Sequence, residues 1–173
     1  VSTVVVITEP PARTSTLILK NATCSNSCNA IATHSVAGGV PGYNYGWSSS
    51  PSTASVLTGL CAGNYVASAS DGNGCIITKT FAVVPPANFT LNLAASNPLC
   101  NAACNGSIAT TPIGAQGNIN YAWTPTGSGQ NPTGLCFGNY NVIATDDSLC
   151  VASAVITLTN PPAILANVAT TDP

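Results

Sequence analysis

Apolar and polar residues alternate in short runs along the chain, and clusters of turn-forming residues separate the runs. Ile31, Thr33 and Ser35 alternate with small residues; Tyr43, Tyr45 and Trp47 stand at i, i+2 and i+4; Tyr65, Ala67 and Ala69 repeat that spacing. A period of two places alternate side chains on one face of a strand. Gly38-Gly39, Pro41-Gly42, Ser50-Pro51 and Asp71-Gly72-Asn73-Gly74 fall between the runs and supply the chemistry of tight turns. No stretch carries a persuasive 3.6-residue period, and no apolar run approaches the roughly 20 residues of a membrane-spanning helix. The pattern predicts an all-β chain with no direct membrane insertion.

The pattern occurs twice. Cys24, Cys28, Tyr45, Trp47, Cys61, Tyr65, Cys75 and Pro85-Pro86-Ala87 return as Cys100, Cys104, Tyr121, Trp123, Cys136, Tyr140, Cys150 and Pro161-Pro162-Ala163. The displacement is 76 positions from Cys24 to Cys100 and 75 from Cys61 to Cys136. The slip falls where Ser48–Pro51 faces Thr124–Gln130, where a loop absorbs it. A third Pro-Pro-Ala, Pro10-Pro11-Ala12, follows a Thr3–Thr8 segment that resembles Thr80–Val84 and Ala154–Thr159, and Asn167–Pro173 reads like Asn92–Pro98. A fixed internal period means stacked modules. We divide the chain into the last strand of a preceding repeat (residues 1–11), repeat one (12–86), repeat two (87–162) and the first strand of a following repeat (163–173). Six or seven short strands per repeat predict two tandem, small immunoglobulin-like β-sandwiches within a longer array. Each Pro-Pro junction fixes two φ angles and favours a short, stiff connector.

Composition narrows the function. Charged residues make up 5% of the 173, against roughly 25% in an average soluble domain. A net charge of −2 offers no basic footprint for nucleic acid and no charge run for a membrane surface. Hydroxyls and amides must solvate the surface, and near-neutral surfaces associate. Covalent glycans and packing against copies of itself in a linear array or filament are the two expectations, and composition alone does not choose between them.

Eight cysteines give four per repeat: Cys24, Cys28, Cys61 and Cys75, then Cys100, Cys104, Cys136 and Cys150. Even counts at repeated spacing point to disulfides and an extracellular or cell-surface setting. A zinc site fits poorly, because no second close Cys pair follows Cys-x3-Cys and His34 is replaced by Thr110 in the second copy. Spacing alone leaves three connectivities in each repeat. A core this small is marginal, and a disulfide closing some 50 residues is worth roughly 4 kcal/mol on the chain-entropy model.

Candidate chemistry is sparse. His34 has no serine or cysteine partner suggested by the sequence and reads as an isolated strand residue. Asp71 with Asn73 offers one carboxylate, too few for a calcium ion that takes six to eight oxygens, and a β-turn explains the same residues. Tyr43, Tyr45 and Trp47 could stack on sugars, but their counterparts Ile119, Tyr121 and Trp123 suit a packed core better. Sequons occur at Asn21, Asn88 and Asn105, and none recurs in the other copy. No nucleophile–base pair, cofactor site or metal site emerges, so we expect no enzyme.

Four ordered motifs resemble the SprB repeat of cell-surface adhesins in gliding Bacteroidota: Cys100–Ile108 (Cys-x3-Cys-Asn-Gly-Ser-Ile), Gly38–Trp47, Leu60–Tyr65 and Asp71–Cys75. The second copy departs at Gly114–Ile119 and at Asp146-Asp147-Ser148-Leu149. The resemblance implies type IX secretion to the cell surface and a role in adhesion or motility. It also implies the pairings Cys24–Cys75, Cys28–Cys61, Cys100–Cys150 and Cys104–Cys136. A seven-strand topology would separate Cys24 from Cys75, and a six-strand one would bring them together. Asp147-Ser148-Leu149 is similar to the O-glycosylation signal of Bacteroidota, which makes Ser148 a candidate. The expected function is a glycosylated structural repeat of an extracellular filament or adhesin stalk. A glycan-binding module acting through loops is the alternative. A continuous chain is favoured over short subunits joined by strand exchange.

Overall fold

The computed structural model describes Val4 and residues 8–166. The chain forms two compact units that divide between Pro86 and Ala87. The flanking strands expected at residues 1–11 and 163–173 fall largely outside the described residues, and the described parts of those segments carry no strand.

Among the described residues the first unit has six strands: β1 (Thr14–Lys20), β2 (Ala30–Ala37), β3 (Asn44–Trp47), β4 (Val56–Leu60), β5 (Gly63–Ser70) and β6 (Ile76–Val83). The second repeats them as β7 (Thr90–Ser96), β8 (Gly106–Ile113), β9 (Ile119–Thr124), β10 (Thr133–Leu135), β11 (Gly138–Asp146) and β12 (Val151–Leu158). Each unit pairs its strands into two three-stranded sheets, β1-β2-β4 with β3-β5-β6 and β10-β8-β7 with β12-β11-β9. All pairings are antiparallel. The all-β expectation holds, with six strands per repeat.

The two sheets of the first unit bury Ala22, Ala30, Ala32, Trp47, Leu60, Ala67 and Val83 together. Of the three aromatics expected in the core, Trp47 is buried and half-buried Tyr45 meets buried His34 edge-on, while half-buried Tyr43 precedes β3 and donates its hydroxyl to Gly38 O. On β2 the inward residues are Ala30, Ala32 and His34, while Ile31 and Thr33 are only half-buried. The interior is filled at near-crystal density, so the edge-on rings of Trp47 and Phe81 together leave room only for small side chains on the strands around them. The second unit reaches similar closure with different volumes. Ile108 and Val142 stand where Ala32 and Ala67 do, and Ile156 stands where the first unit has Phe81, which meets Trp47 edge-on.

Two polar anchors recur. Trp47 Nε1 donates to Ala54 O at 2.9 Å, and Trp123 Nε1 to Gly129 O at 2.8 Å. Tyr65 Oη donates to Cys61 O at 2.9 Å, and Tyr140 Oη to Cys136 O at 2.8 Å. The second is a tyrosine corner, a hydroxyl reaching back to backbone just upstream of its own strand, as in immunoglobulin-like sandwiches. Each anchor gives the polar tip of a packed aromatic side chain its partner.

Candidate functional site: the two poles of the module

Strand register divides each module into two poles. At one, β5 begins at Gly63 opposite Val83, and β2 begins at Ala30 opposite Leu60. At the other, β5 ends at Ser70 opposite Ile76 and also meets Asn44 of β3. Disulfides and loops concentrate at the first pole, which also holds the β1–β2 loop. A carboxylate organises the second.

At the loop pole, Cys28 is bonded to Cys61 with a Cα–Cα distance of 3.9 Å, and Cys104 to Cys136 at 3.8 Å. These are two of the four pairings implied by the resemblance. The other two are not made: Cys75 and Cys100 are free, exposed thiols, which corrects Cys24–Cys75 and Cys100–Cys150. The reason is geometric. Cys24 lies in the β1–β2 loop, and Cys75 in the β5–β6 turn, at the far end of β5 from Cys61. Eight strand residues separate the poles by roughly 25 Å, whereas a disulfide spans less than about 7 Å between Cα atoms. The six-strand count did not bring Cys24 and Cys75 together. Cys24 and Cys150 are themselves disulfide-bonded.

The β1–β2 loop has the same local design in both copies. Ser27 N donates to Cys24 O and Ala103 N to Cys100 O, each at 3.1 Å. Asn29 Oδ1 accepts from Thr23 N, and Asn105 Oδ1 from Leu99 N, each at 3.0 Å. In the second unit the outgoing segment is tied to this loop as well. Thr159 N donates to Asn97 Oδ1 at 2.9 Å, Asn101 Nδ2 to Pro161 O at 2.8 Å, and Ala102 N to Asn160 Oδ1 at 3.0 Å.

At the turn pole, Asp71 is buried and accepts from Cys75 N at 2.9 Å, Asn73 N at 3.1 Å and Val40 N at 3.3 Å. Gly74 N closes the β-turn onto Asp71 O at 2.9 Å, as the turn reading expects. Arg13 Nη1 stands 3.8 Å from the carboxylate. Asp146 repeats this role, accepting from Cys150 N, Ser148 N and Gln116 N, each at 2.9 Å. Burial pushes each carboxyl up. The backbone donors outweigh it, with Arg13 adding to them at Asp71, and hold both below the ordinary carboxylate value. Each aspartate therefore fastens the β5–β6 or β11–β12 turn to the preceding inter-sheet loop. Asp71 and Asp146 thus share one role although their turn sequences diverge, and the common Asp-x3-Cys spacing is the sequence signal of it.

His34 is fully buried, and Ser15 Oγ lies 2.7 Å from its Nε2. Expectation therefore failed on one point, since the strand histidine does have a serine partner, contributed by the neighbouring β1. Its ring meets Tyr45 and Trp47 edge-on with centroids at 5.5 and 6.2 Å. Burial, then the positive charge of Lys79, lowers its pKa. The second copy places Leu91 and Thr110 at these positions, so the pair is a packing solution of one module. Asn21, Asn88 and Asn105 are exposed, and Ser148 is half-buried with its backbone N–H on Asp146. Asn21 lies in the first unit, and Asn88, Asn105 and Ser148 lie in separate loops of the second.

No family model and no curated sequence matches the chain. Among solved structures, the three N-terminal domains of the bacteriophage RB49 outer capsid protein Hoc superpose with a TM-score of 0.55 at 17% identity. That alignment covers 85% of this chain and 59% of that one. The C-terminal fragment of intimin, solved with the intimin-binding domain of its translocated receptor, gives 0.45 at 12% identity, covering 88% and 65%. Mouse nectin-like molecule 4 gives 0.38 at 12%, covering 91% and 67%. Sheet order, tyrosine corner, buried strand Trp and the Hoc similarity define the class: the chain is a tandem of immunoglobulin-like β-sandwiches.

Proposed function

We propose that the chain is a structural segment of an extracellular filament or cell-surface adhesin stalk, non-enzymatic, glycosylated, and related to the SprB-type repeats that its motifs resemble. The observation that carries this reading is the reuse of one module with all its fasteners. The disulfide at the loop pole, the tyrosine corner, the Trp anchor and the aspartate at the turn pole all recur at the repeat period. What recurs in both copies is structural. What differs, such as the Ser15–His34 pair and the sequons, is what a shared catalytic or binding site would have kept. Disulfides in both modules support an oxidising, extracellular setting.

The decisive experiment is the mass of the native polypeptide, denatured and reduced, before and after chemical deglycosylation. A species many times larger than 17.2 kDa is the expected result, with a loss of mass on deglycosylation. A reduced, deglycosylated species at 17.2 kDa would replace the continuous array with separate subunits. No mass loss would remove the sugar coat.

A further inference from the structure

Six of the eight residues between β3 and β4 carry hydroxyls: Ser48-Ser49-Ser50-Pro51-Ser52-Thr53-Ala54-Ser55. Serine and threonine interleaved with proline is the composition of O-glycosylated stalks. The loop is held in place by its own hydroxyls. Ser48 Oγ accepts from Val66 N at 3.0 Å, Ser50 Oγ from Ser52 N at 3.2 Å and Ser52 Oγ from Ala54 N at 3.3 Å. Trp47 Nε1 holds Ala54 O, and Ser55 O accepts from His34 N at 2.8 Å. These bonds fix the backbone on both sides of Thr53 and leave its side chain out. Thr53 is exposed, and its hydroxyl has no hydrogen-bond partner among the described residues.

Thr53 borders an open groove of about 380 Å³ that runs past Gly46, Val66 and Ser68. That volume lies at the lower end of the roughly 300–1,000 Å³ of small-molecule sites, room for the first ring of a sugar chain. Ser48, Ser50 and Ser52 also line the groove and are engaged as above, and Ser68 Oγ donates to Gly46 O at 3.2 Å. Thr53 is thus the one serine or threonine of this groove with a hydroxyl unengaged among the described residues. The outward residues beside it are uncharged, with Gly46 opposite Ser68, Ser68 opposite Thr78 and Val66 opposite Thr80. A sugar resting there would cover the exposed Val66.

The second module keeps the position. Trp123 Nε1 holds Gly129 O as Trp47 Nε1 holds Ala54 O, and the residue before the held carbonyl is again a hydroxyl, Ser128. Ser128 follows Thr53 by 75 positions, the displacement from Cys61 to Cys136. Its side chain is exposed and without a hydrogen bond among the described residues. Its backbone bridges to Ala122, the counterpart of Gly46. The loops otherwise diverge, with Pro51-Ser52 before Thr53 and Thr126-Gly127 before Ser128. Neither hydroxyl supports the fold, yet both stand at one place in the module, whereas no sequon recurs.

We propose that Thr53 and Ser128 are equivalent O-glycan attachment sites, one in each module. This inference rests on the glycosylated reading above and says where the sugar is attached. In the transfer, the hydroxyl oxygen bonds the anomeric carbon of a sugar carried on a phosphate donor. The bond from that carbon to the donor oxygen breaks, its electron pair leaves with the phosphate, and the hydroxyl proton passes to the base of the transferring enzyme. Each module would then carry a sugar chain beside a sheet face that has few charges of its own.

The test is glycopeptide mapping of native material, by pepsin digestion and electron-transfer fragmentation, which cleaves backbone and leaves side-chain sugar attached. Expected is a sugar mass on Thr53 and on Ser128. Either hydroxyl bare throughout the sample overturns the site. Sugar confined to other residues, Ser148 or the sequon asparagines included, discards this site and keeps the glycosylated reading; no sugar on any peptide discards both. A Thr53→Val/Ser128→Ala variant made in the producing organism separates attachment from folding. It should lose the mass of two sugar chains and melt with the chemically deglycosylated wild type, because neither hydroxyl bonds within its module. An unchanged glycan mass in that variant overturns the assignment.

Discussion

At the scale of single residues, the buried groups that titrate mark where pH acts. Asp71 and Asp146 are ionised below the ordinary carboxylate value of 3.8. Their hydrogen bonds therefore contribute stability in full above that value, and the contribution is lost as pH falls from there through the lowered folded value. An Asp71→Asn/Asp146→Asn variant would direct amide N–H groups at the backbone donors of Val40 and Gln116. We expect its Tm at pH 7 to drop by several degrees, with a flatter profile below pH 4. An unchanged acid limb would remove the aspartates from the account. His34 acts in a separate window. Its neutral form is favoured in the fold, so its contribution is complete above 6.5 and declines as pH falls below it. Only the first module carries this histidine. Calorimetry between pH 7.5 and 5 should show the first module's transition moving down while the second's stays, and His34→Gln should abolish the difference.

At the scale of elements, sequence reading succeeded where the signal was local. Alternation around Tyr43–Trp47 and Tyr65–Ala69 marked strands, and Gly or Asp clusters marked turns. It failed where the answer depended on distant parts of the chain. Which residues of β2 face inward depends on its register with the other strands, and their small size on the Trp47–Phe81 ring pair contributed by the other sheet. Why Cys24 and Cys75 stand apart depends on strand order, and three connectivities fit the same spacing. The tyrosine corner lay inside a quoted motif, Leu60–Tyr65, yet its hydrogen bond required the turn to be built. Tyr140→Phe removes that bond; Tyr140 is buried but Cys136 is exposed, so water can reach the freed carbonyl and the loss should be roughly 0.5–1.5 kcal/mol in urea unfolding. One glycine shows the same dependence on distant chain. Gly114 has φ 77°, and a Cβ there would sit 2.4 Å from Asn88 O in the segment leading into β7. Gly38 repeats this, with φ 81° and a Cβ 2.2 Å from Ala12 O. Backbone cannot yield as a flexible side chain would, so Gly114→Ala should destabilise the second module by at least about 1 kcal/mol. Wild-type stability in that variant would mean that the leading segment does not dock on the loop.

At the scale of the whole molecule, the question is what keeps such small sandwiches folded with almost no charged surface. Tandem sandwiches of this size bury a limited fraction of their unfolded area, and here much of that core is alanine. The Cys28–Cys61 and Cys104–Cys136 bonds close loops of 33 and 32 residues. Chain entropy assigns each roughly 3.7 kcal/mol, a large share of the 5–15 kcal/mol that a typical domain has in total. The dependence on loop length is logarithmic, so the two modules should lose nearly equal amounts despite their different cores. Cys28→Ser/Cys61→Ser and Cys104→Ser/Cys136→Ser variants, unfolded in guanidinium, should each lower the midpoint of their own module by a matching shift and leave the other module in place. If instead the alanine-rich first module collapses while the second, with Ile108 and Val142 in its interior, barely responds, then core volume governs stability, and the disulfides serve to fix the loop pole in position.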